Sequence, residues 1–225
     1  MIYSSNLDFL LDLKNNNNRE WFNSNKGRFE LEQANIVAFA EELFDKLKKH
    51  DLIETPSGKR SLYRIYRDVR FSKDKTPYQN YWGGGFRRAT KHRRGGYYYH
   101  IESEKSCVVG GFWGPNAHDL KCIRKELMVD ASKLRSIINN NDFLNHFGSL
   151  KGEKLKTAPK GFDKNHPDIE LLRYKQFLLI KNFTDEEVLS ANFVELVDET
   201  FKHMRPFFDY MSEILTIDAN GVDLF

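Results

Sequence analysis

The fold is decided by residues 61–113, which read SLYRIYRDVRFSKDKTPYQNYWGGGFRRATKHRRGGYYYHIESEKSCVVGGFW. Aromatic and β-branched residues are concentrated in this stretch, as is typical of β-strands, and turns rich in proline, glycine and lysine interrupt it. The interruptions leave four strand-like runs, at 61–71, 78–86, 97–102 and 107–113. We therefore predict a largely antiparallel sheet whose strands follow one another along the chain.

Helical patterns lie on both sides of the predicted sheet. Apolar residues recur at helical spacing in 5–14 and 29–49, and Thr184 and Glu187 form a capping box, Thr-x-x-Glu, that starts a final helical segment. Along that segment runs an apolar stripe, whose spacing predicts that it packs in the core: Phe193, Val197, Phe201, Met204, Phe208, Met211 and Leu215.

We predict one α+β domain in which N- and C-terminal helices pack on the sheet. Its parts are N-terminal helices at about 5–50, a sheet core at about 52–113, and a helical and mixed C-terminal part at about 116–218 of the 225 residues. Within the last part, two short strands are predicted at 153–158 and 177–183.

Cysteine usage and hydropathy limit the class of protein. Cys107 and Cys122 do not form a CxxC pair, which argues against a disulfide framework or a cysteine-based zinc site. No uncharged apolar run reaches the roughly 18 residues of a membrane span, and residues 1–13 carry two aspartates, unlike a secretory signal. We expect a cytoplasmic protein without a membrane partner.

The net charge of +3 conceals a strongly basic region. Residues 56–100 contain twelve lysines and arginines but only two aspartates, a local charge of +10, and the rest of the chain carries −7. Such asymmetry indicates an anionic partner: phosphate, a nucleotide, nucleic acid or an acidic surface.

Within this region, residues 61–71 place an arginine on each face of the predicted strand. Tyr63, Ile65 and Arg67 alternate on one face, so Arg67 enters the core if that face is buried. An unpaired buried charge costs several kcal/mol at least. Arg67 must therefore be paired or line a ligand cavity.

The cations of 61–78 suit an anionic ligand, because arginine offers a rigid fork of donors and lysine a mobile charge. We predict a basic pocket that binds an anion or a phosphorylated small molecule. Its predicted ligand-binding residues are Arg64, Arg67, Arg70, Lys73, Lys75, Tyr78 and Tyr99. Asp68 and Asp74 either pair with these cations or supply a base, and the candidate catalytic residues are Asp68 and His100, with enzymatic activity left open.

Two alternatives remain. In the first, the basic aromatic region 81–99 binds nucleic acid, with phosphates held by Arg87, Arg88, Lys91, Arg93 and Arg94 and bases stacked on Tyr81, Trp82, Phe86 and Tyr97. In the second, the arginines and aspartates of 61–78 form an ion-pair network that fixes the register of the sheet and binds nothing.

No cofactor or metal is predicted. His100 and Glu102 stand two apart on a predicted strand and so share a face, as two ligands of a metal site would. A third ligand is not evident from the spacing.

Five segments occur in the same order as in the domain-of-unknown-function family number 2461 of bacteria and fungi, which the chain resembles over nearly its whole length. The segments are FLLDLKNNNNREWFNSNKGRFE, RIYRDVRFSKDKTPYQNYWGGGF, GGYYYHIE, GGFWGP and HPDIELLRYKQF. The most specific part is RDVRFSKDKTPY, residues 67–78. The resemblance implies no particular reaction, cofactor or catalytic residue, so the functional hypothesis rests on the residues themselves.

Overall fold

A computed structural model describes residues 1–89 and 91–216. The architecture is α+β, as the sequence predicts, with helices flanking one four-stranded antiparallel sheet in the order β1-β2-β3-β4. In the described residues the strands are β1 (Trp82–Arg87), β2 (Gly96–Ile101), β3 (Cys107–Phe112) and β4 (Phe177–Asn182). The helices there are α1 (Ser4–Asn15), α2 (Arg19–Ser24), α3 (Lys26–Leu47), α4 (Gly58–Ser61), α5 (Ala117–Val129), α6 (Ser132–Ile138), α7 (Asn141–Phe147), α8 (Ile169–Leu172), α9 (Asp185–Leu189) and α10 (Phe193–Thr216).

The chain divides into two compact units, each built from several segments. Unit 1 comprises Met1–Phe86, Tyr98–Val108 and Asn182–Glu199, and unit 2 comprises Arg87–Tyr97, Val109–Lys181 and Thr200–Phe225. None of the helices in the described ranges is long and apolar enough to span a bilayer.

The core of unit 1 is aromatic. Trp82 of β1 stacks on Phe9 and Phe29, at 5.9 and 5.8 Å between ring centroids, and all three rings are buried. Phe39 of α3 meets the edge of Tyr99 of β2 at 5.7 Å. Because side chains alternate along a strand, β2 turns one set of residues toward this core and the next set away from it.

The core of unit 2 forms around the part of α10 that belongs to this unit. The ring of Tyr97 lies 4.7 Å from that of Phe201 and 5.1 Å from that of Phe208. Gly110 of β3 permits this packing, since a Cβ there would collide with Sδ of Met204. The predicted stripe of α10 is confirmed, because all seven of its residues are buried.

A buried arginine lies in the core of unit 2. The side chain of Arg88 is 0% exposed, pairs with Asp209 at 2.6 Å, donates to the carbonyl of Arg94 at 3.0 Å and lies 5.2 Å from the ring centre of Phe208. This paired, solvent-excluded position is the opposite of a phosphate contact on an exposed surface.

The predicted strand at 61–71 is wrong. Its first residue ends α4, and the backbone then forms only isolated bridges, Leu62 to Gly84 and Tyr66 to Tyr78. Beyond Tyr66, the Asp68 carboxylate accepts the backbone N–H of Arg70 at 3.2 Å, a local bond that competes with a sheet ladder.

Three other boundaries also differ. β1 begins at Trp82 rather than 78, and the predicted strand at 153–158 is absent, since Lys151 and Lys154 form only isolated bridges. The capping box of Thr184 and Glu187 is confirmed, but it starts the short helix α9, which ends before α10 begins.

Candidate functional site

The basic segment 61–78, which lies in unit 1, is ordered by contacts among its own residues. Arg67 donates to the Asp74 carboxylate at 2.5 Å, to the Thr76 carbonyl at 3.2 Å and to the Thr76 hydroxyl. The backbone N–H of Thr76, followed by the Arg67 guanidinium, lowers the pKa of Asp74 to about 2. Arg67 is thus paired, as the burial argument required, but its partner lies in the loop and not in a core.

The next cations are also engaged. Arg70 forms a fork on Asp68, with Nε 2.9 Å and Nη2 2.6 Å from the carboxylate oxygens, and this guanidinium lowers the pKa of Asp68. Lys75 donates to the carbonyl of Val69 at 2.9 Å. Both aspartates of the segment therefore hold arginines in place.

Two cations of the segment stay uncommitted. Arg64 and Lys73 are exposed, and neither makes a hydrogen bond or ion pair within the part of the chain that the structure describes. Arg64 precedes the internally paired residues, and Lys73 lies between two of them, Arg70 and Asp74. Of the five predicted ligand-binding cations, these two have side-chain donors that no described residue accepts and that a ligand could therefore use.

The two predicted tyrosine donors lie in the core instead of at the surface. Tyr78 is 4% exposed and stacks on Phe22 at 4.1 Å, while the Asn17 side chain brackets its backbone. Tyr99 is 1% exposed and its hydroxyl meets Ser61 Oγ at 3.2 Å. Burial raises the pKa of Tyr99. A ligand would have to enter the core to meet either ring, so their predicted place beside the cations is corrected.

A second cluster in unit 1 consists of polar side chains on the face of β2 that is not buried in the core. Tyr98, His100 and Glu102 alternate with buried Tyr99 and Ile101, so they share the face that turns away from the core. The Tyr98 hydroxyl lies 2.9 Å from His100 Nδ1, and His100 Nε2 lies 3.1 Å from a Glu102 carboxylate oxygen. We call this hydrogen-bonded chain the β2 triad.

Neighbouring polar groups hold the carboxylate end of the β2 triad. Asn80 and the Lys105 ammonium both donate to the second oxygen of Glu102, at 3.2 and 3.1 Å. The side chains of His100 and Glu102 are 16% and 13% exposed, so the β2 triad is mostly buried but still reaches solvent.

Two further tyrosines pack against His100 and Tyr98. The ring of Tyr81 lies 4.3 Å from that of His100, and the ring of Tyr63 stacks on Tyr98 at 5.8 Å, with Tyr63 itself 55% exposed. Tyr63 belongs to the basic segment, so the segment and the β2 triad are in direct contact. Burial is also the main reason that the pKa of Tyr98 is raised.

Sequence reasoning found part of the β2 triad. His100 was a candidate, and the shared face of His100 and Glu102 followed from their spacing. Tyr98 was missed in favour of Tyr99, although the same period of two places Tyr98 beside His100. No cluster of three or more metal-ligating side chains occurs in residues 1–89 and 91–216.

The aromatic residues of the nucleic-acid hypothesis separate into two groups. Trp82, Phe86 and Tyr97 are at most 5% exposed and pack in the core, and only Tyr81 is partly exposed. Arg94 pairs with Asp119 at 2.5 Å. A row of stacking rings therefore does not form along 81–99.

Comparison with known proteins adds the family but no activity. No curated protein and no solved structure shows significant similarity to this chain. A family model described as "Conserved hypothetical protein (DUF2461)" matches residues 5–210, and the chain therefore belongs to that family.

Proposed function

We propose that the protein binds a small anionic ligand, such as phosphate or a phosphorylated metabolite, at the basic segment 61–78. The observation that carries the proposal is that some cations of the segment are paired within it and others are not. Arg67, Arg70 and Lys75 are used to order the loop, whereas Arg64 and Lys73 have no partner among the described residues.

Order in the free protein favours binding. A ligand that meets a loop already held by internal ion pairs does not have to offset the entropy of ordering it, so more of the interaction energy appears as affinity. The local charge of +10 over residues 56–100 also raises the concentration of anions near this part of the surface.

A cytoplasmic location fits the same proposal. Cys107 and Cys122 are both free thiols, which suits a reducing compartment.

Calorimetric titration with inorganic phosphate tests the binding. We expect the double variant Arg64→Ala/Lys73→Ala to bind phosphate roughly 2- to 30-fold more weakly, because each exposed charge pair contributes about 0.2–1 kcal/mol. Lys49→Ala removes an exposed lysine outside the segment and is the matched control. Undetectable phosphate binding by the parent protein, or equal affinity in the double variant, contradicts the proposal.

A further inference from the structure

The β2 triad leaves His100 with no free ring nitrogen. Nδ1 faces the Tyr98 hydroxyl at 2.9 Å and Nε2 faces Glu102 at 3.1 Å. Any proton that His100 exchanges with a ligand must therefore pass through one of these two partners. Glu102 is turned toward Asn80 and Lys105, which leaves Tyr98 as the outer end of the chain.

The hydrogen-bond partners fix the direction of the chain. The Glu102 carboxylate accepts from an amide and from an ammonium, and a carboxylate is an acceptor only. His100 must then donate through Nε2–H, and in the neutral imidazole Nδ1 holds the lone pair and accepts the phenolic O–H of Tyr98. The phenolic oxygen keeps its own lone pairs for a proton from outside.

This order of groups is the order that general-base catalysis requires. A carboxylate orients an imidazole, and the imidazole draws a proton from a hydroxyl. A free phenolate is disfavoured at Tyr98, because burial raises the pKa of this phenol. Tyr98 therefore gains one proton as it gives up the other, and the positive charge resides on His100 beside Glu102.

We propose that Tyr98, His100 and Glu102 form a proton relay that activates water for the hydrolysis of an ester bound at this face of β2. The class of ester, a phosphate monoester, rests on the proposed function, since Tyr63 of the basic segment stacks on Tyr98. Tyr98 and His100 are the catalytic residues, and Glu102 is a positioning residue.

The proposed step is balanced as follows. Water gives one proton to the Tyr98 oxygen while the original phenolic proton moves to His100 Nδ1. The hydroxide oxygen forms a bond to phosphorus, and the phosphorus–oxygen bond to the alcohol breaks with its electron pair going to the alcohol oxygen. The imidazolium then returns its proton to Tyr98 while the Tyr98 hydroxyl passes one to the alcohol oxygen, so that one ester and one water give one phosphate and one alcohol.

Hydrolysis of p-nitrophenyl phosphate, with p-nitrophenyl acetate as a second substrate, tests the relay in the full chain. We expect the parent protein to cleave the phosphate ester and Tyr98→Phe and His100→Ala to lower kcat about 10²- to 10⁴-fold, the usual contribution of general acid–base catalysis. Tyr98→Phe keeps the ring that packs on Tyr63 and removes only the hydroxyl. His118→Ala, which removes an exposed histidine in unit 2, should leave kcat unchanged.

The split between kcat and KM separates catalysis from binding and from damage to the fold. Glu102→Gln should lower kcat with KM unchanged, whereas Arg64→Ala/Lys73→Ala should raise KM for the phosphate ester with kcat unchanged. Thermal unfolding of each variant shows whether it folds, and Glu102→Asp should recover part of the kcat lost in Glu102→Gln.

The outcomes distinguish the two proposals. If neither ester is cleaved although phosphate binds, the relay is overturned and anion binding stands. If the acetate ester alone is cleaved, in a manner that requires Tyr98 and His100, and phosphate does not bind, the relay stands and anion binding fails. Equal kcat in the parent, Tyr98→Phe and His100→Ala overturns the relay.

Discussion

Both ring nitrogens of His100 are hydrogen-bonded to neighbours on the same face of the sheet, Nδ1 to Tyr98 and Nε2 to Glu102. A period of two gives this grouping from the sequence alone. The period of two does not show whether this face or the face of Tyr97 and Tyr99 is covered by the core, and that depends on the helices packed against β2.

Asp74 is the second informative residue, because its pKa is depressed to about 2 by the Thr76 N–H and the Arg67 guanidinium. A carboxyl whose pKa is lowered in the folded state stabilises that state at pH values above its ordinary pKa. This stabilisation is lost as the pH falls from about 4 through 2. We expect Arg67→Gln to raise the pKa of Asp74 part of the way to its ordinary value, since the Thr76 N–H remains.

Carbon-13 NMR titration of the Asp74 carboxyl measures this pKa. Arg70→Gln is the control, because Arg70 pairs with Asp68 and should leave Asp74 unchanged. An unaltered Asp74 titration in Arg67→Gln would mean that the Arg67 pair does not hold the loop.

At the scale of elements, the strands β2 and β3 and the stripe of α10 follow from periodicity, because each buries one face. The first three residues of β4 are all buried, so its signal is a short continuous apolar run. The basic segment does not, since alternation of tyrosine and arginine mimics a strand while the backbone pairs only at Leu62 and Tyr66. Strand pairing is decided by distant partners, and here a side chain of the segment itself, Asp68, takes a backbone N–H.

The ion pair between Arg88 and Asp209 of α10 predicts that substitutions of its two residues destabilise unit 2 by different amounts. Asp209→Ala removes the carboxylate that lies 2.6 Å from the fully buried Arg88 guanidinium and should lower the free energy of unfolding by about 2–4 kcal/mol, below the upper end expected for buried pairs because Asp209 is half-exposed. Arg88→Met removes the buried charge and leaves an aspartate that water can reach, so its cost should be smaller.

Urea unfolding of both variants measures the difference. A larger loss in Arg88→Met than in Asp209→Ala would show that the other contacts of Arg88, to the Arg94 carbonyl and the Phe208 ring, matter more than its charge.

For the molecule as a whole, the order of strand-like and helical patterns correctly predicted an α+β architecture, and the uneven charge predicted a basic region. Composition does not show how much of that charge is already neutralised. Arg67, Arg70, Arg88 and Arg94 are each paired with an aspartate. Two of these four aspartates, Asp119 and Asp209, lie far along the chain, so only a folded structure reveals their pairing.

The most direct measurement is an NMR titration of the whole protein with inorganic phosphate. We expect chemical-shift changes at the side chains of Arg64 and Lys73 and at the His100 ring, and we expect these changes to vanish in Arg64→Ala/Lys73→Ala. Changes confined to residues 87–94, or none at all at millimolar phosphate, would contradict an anion site at the basic segment beside the β2 triad.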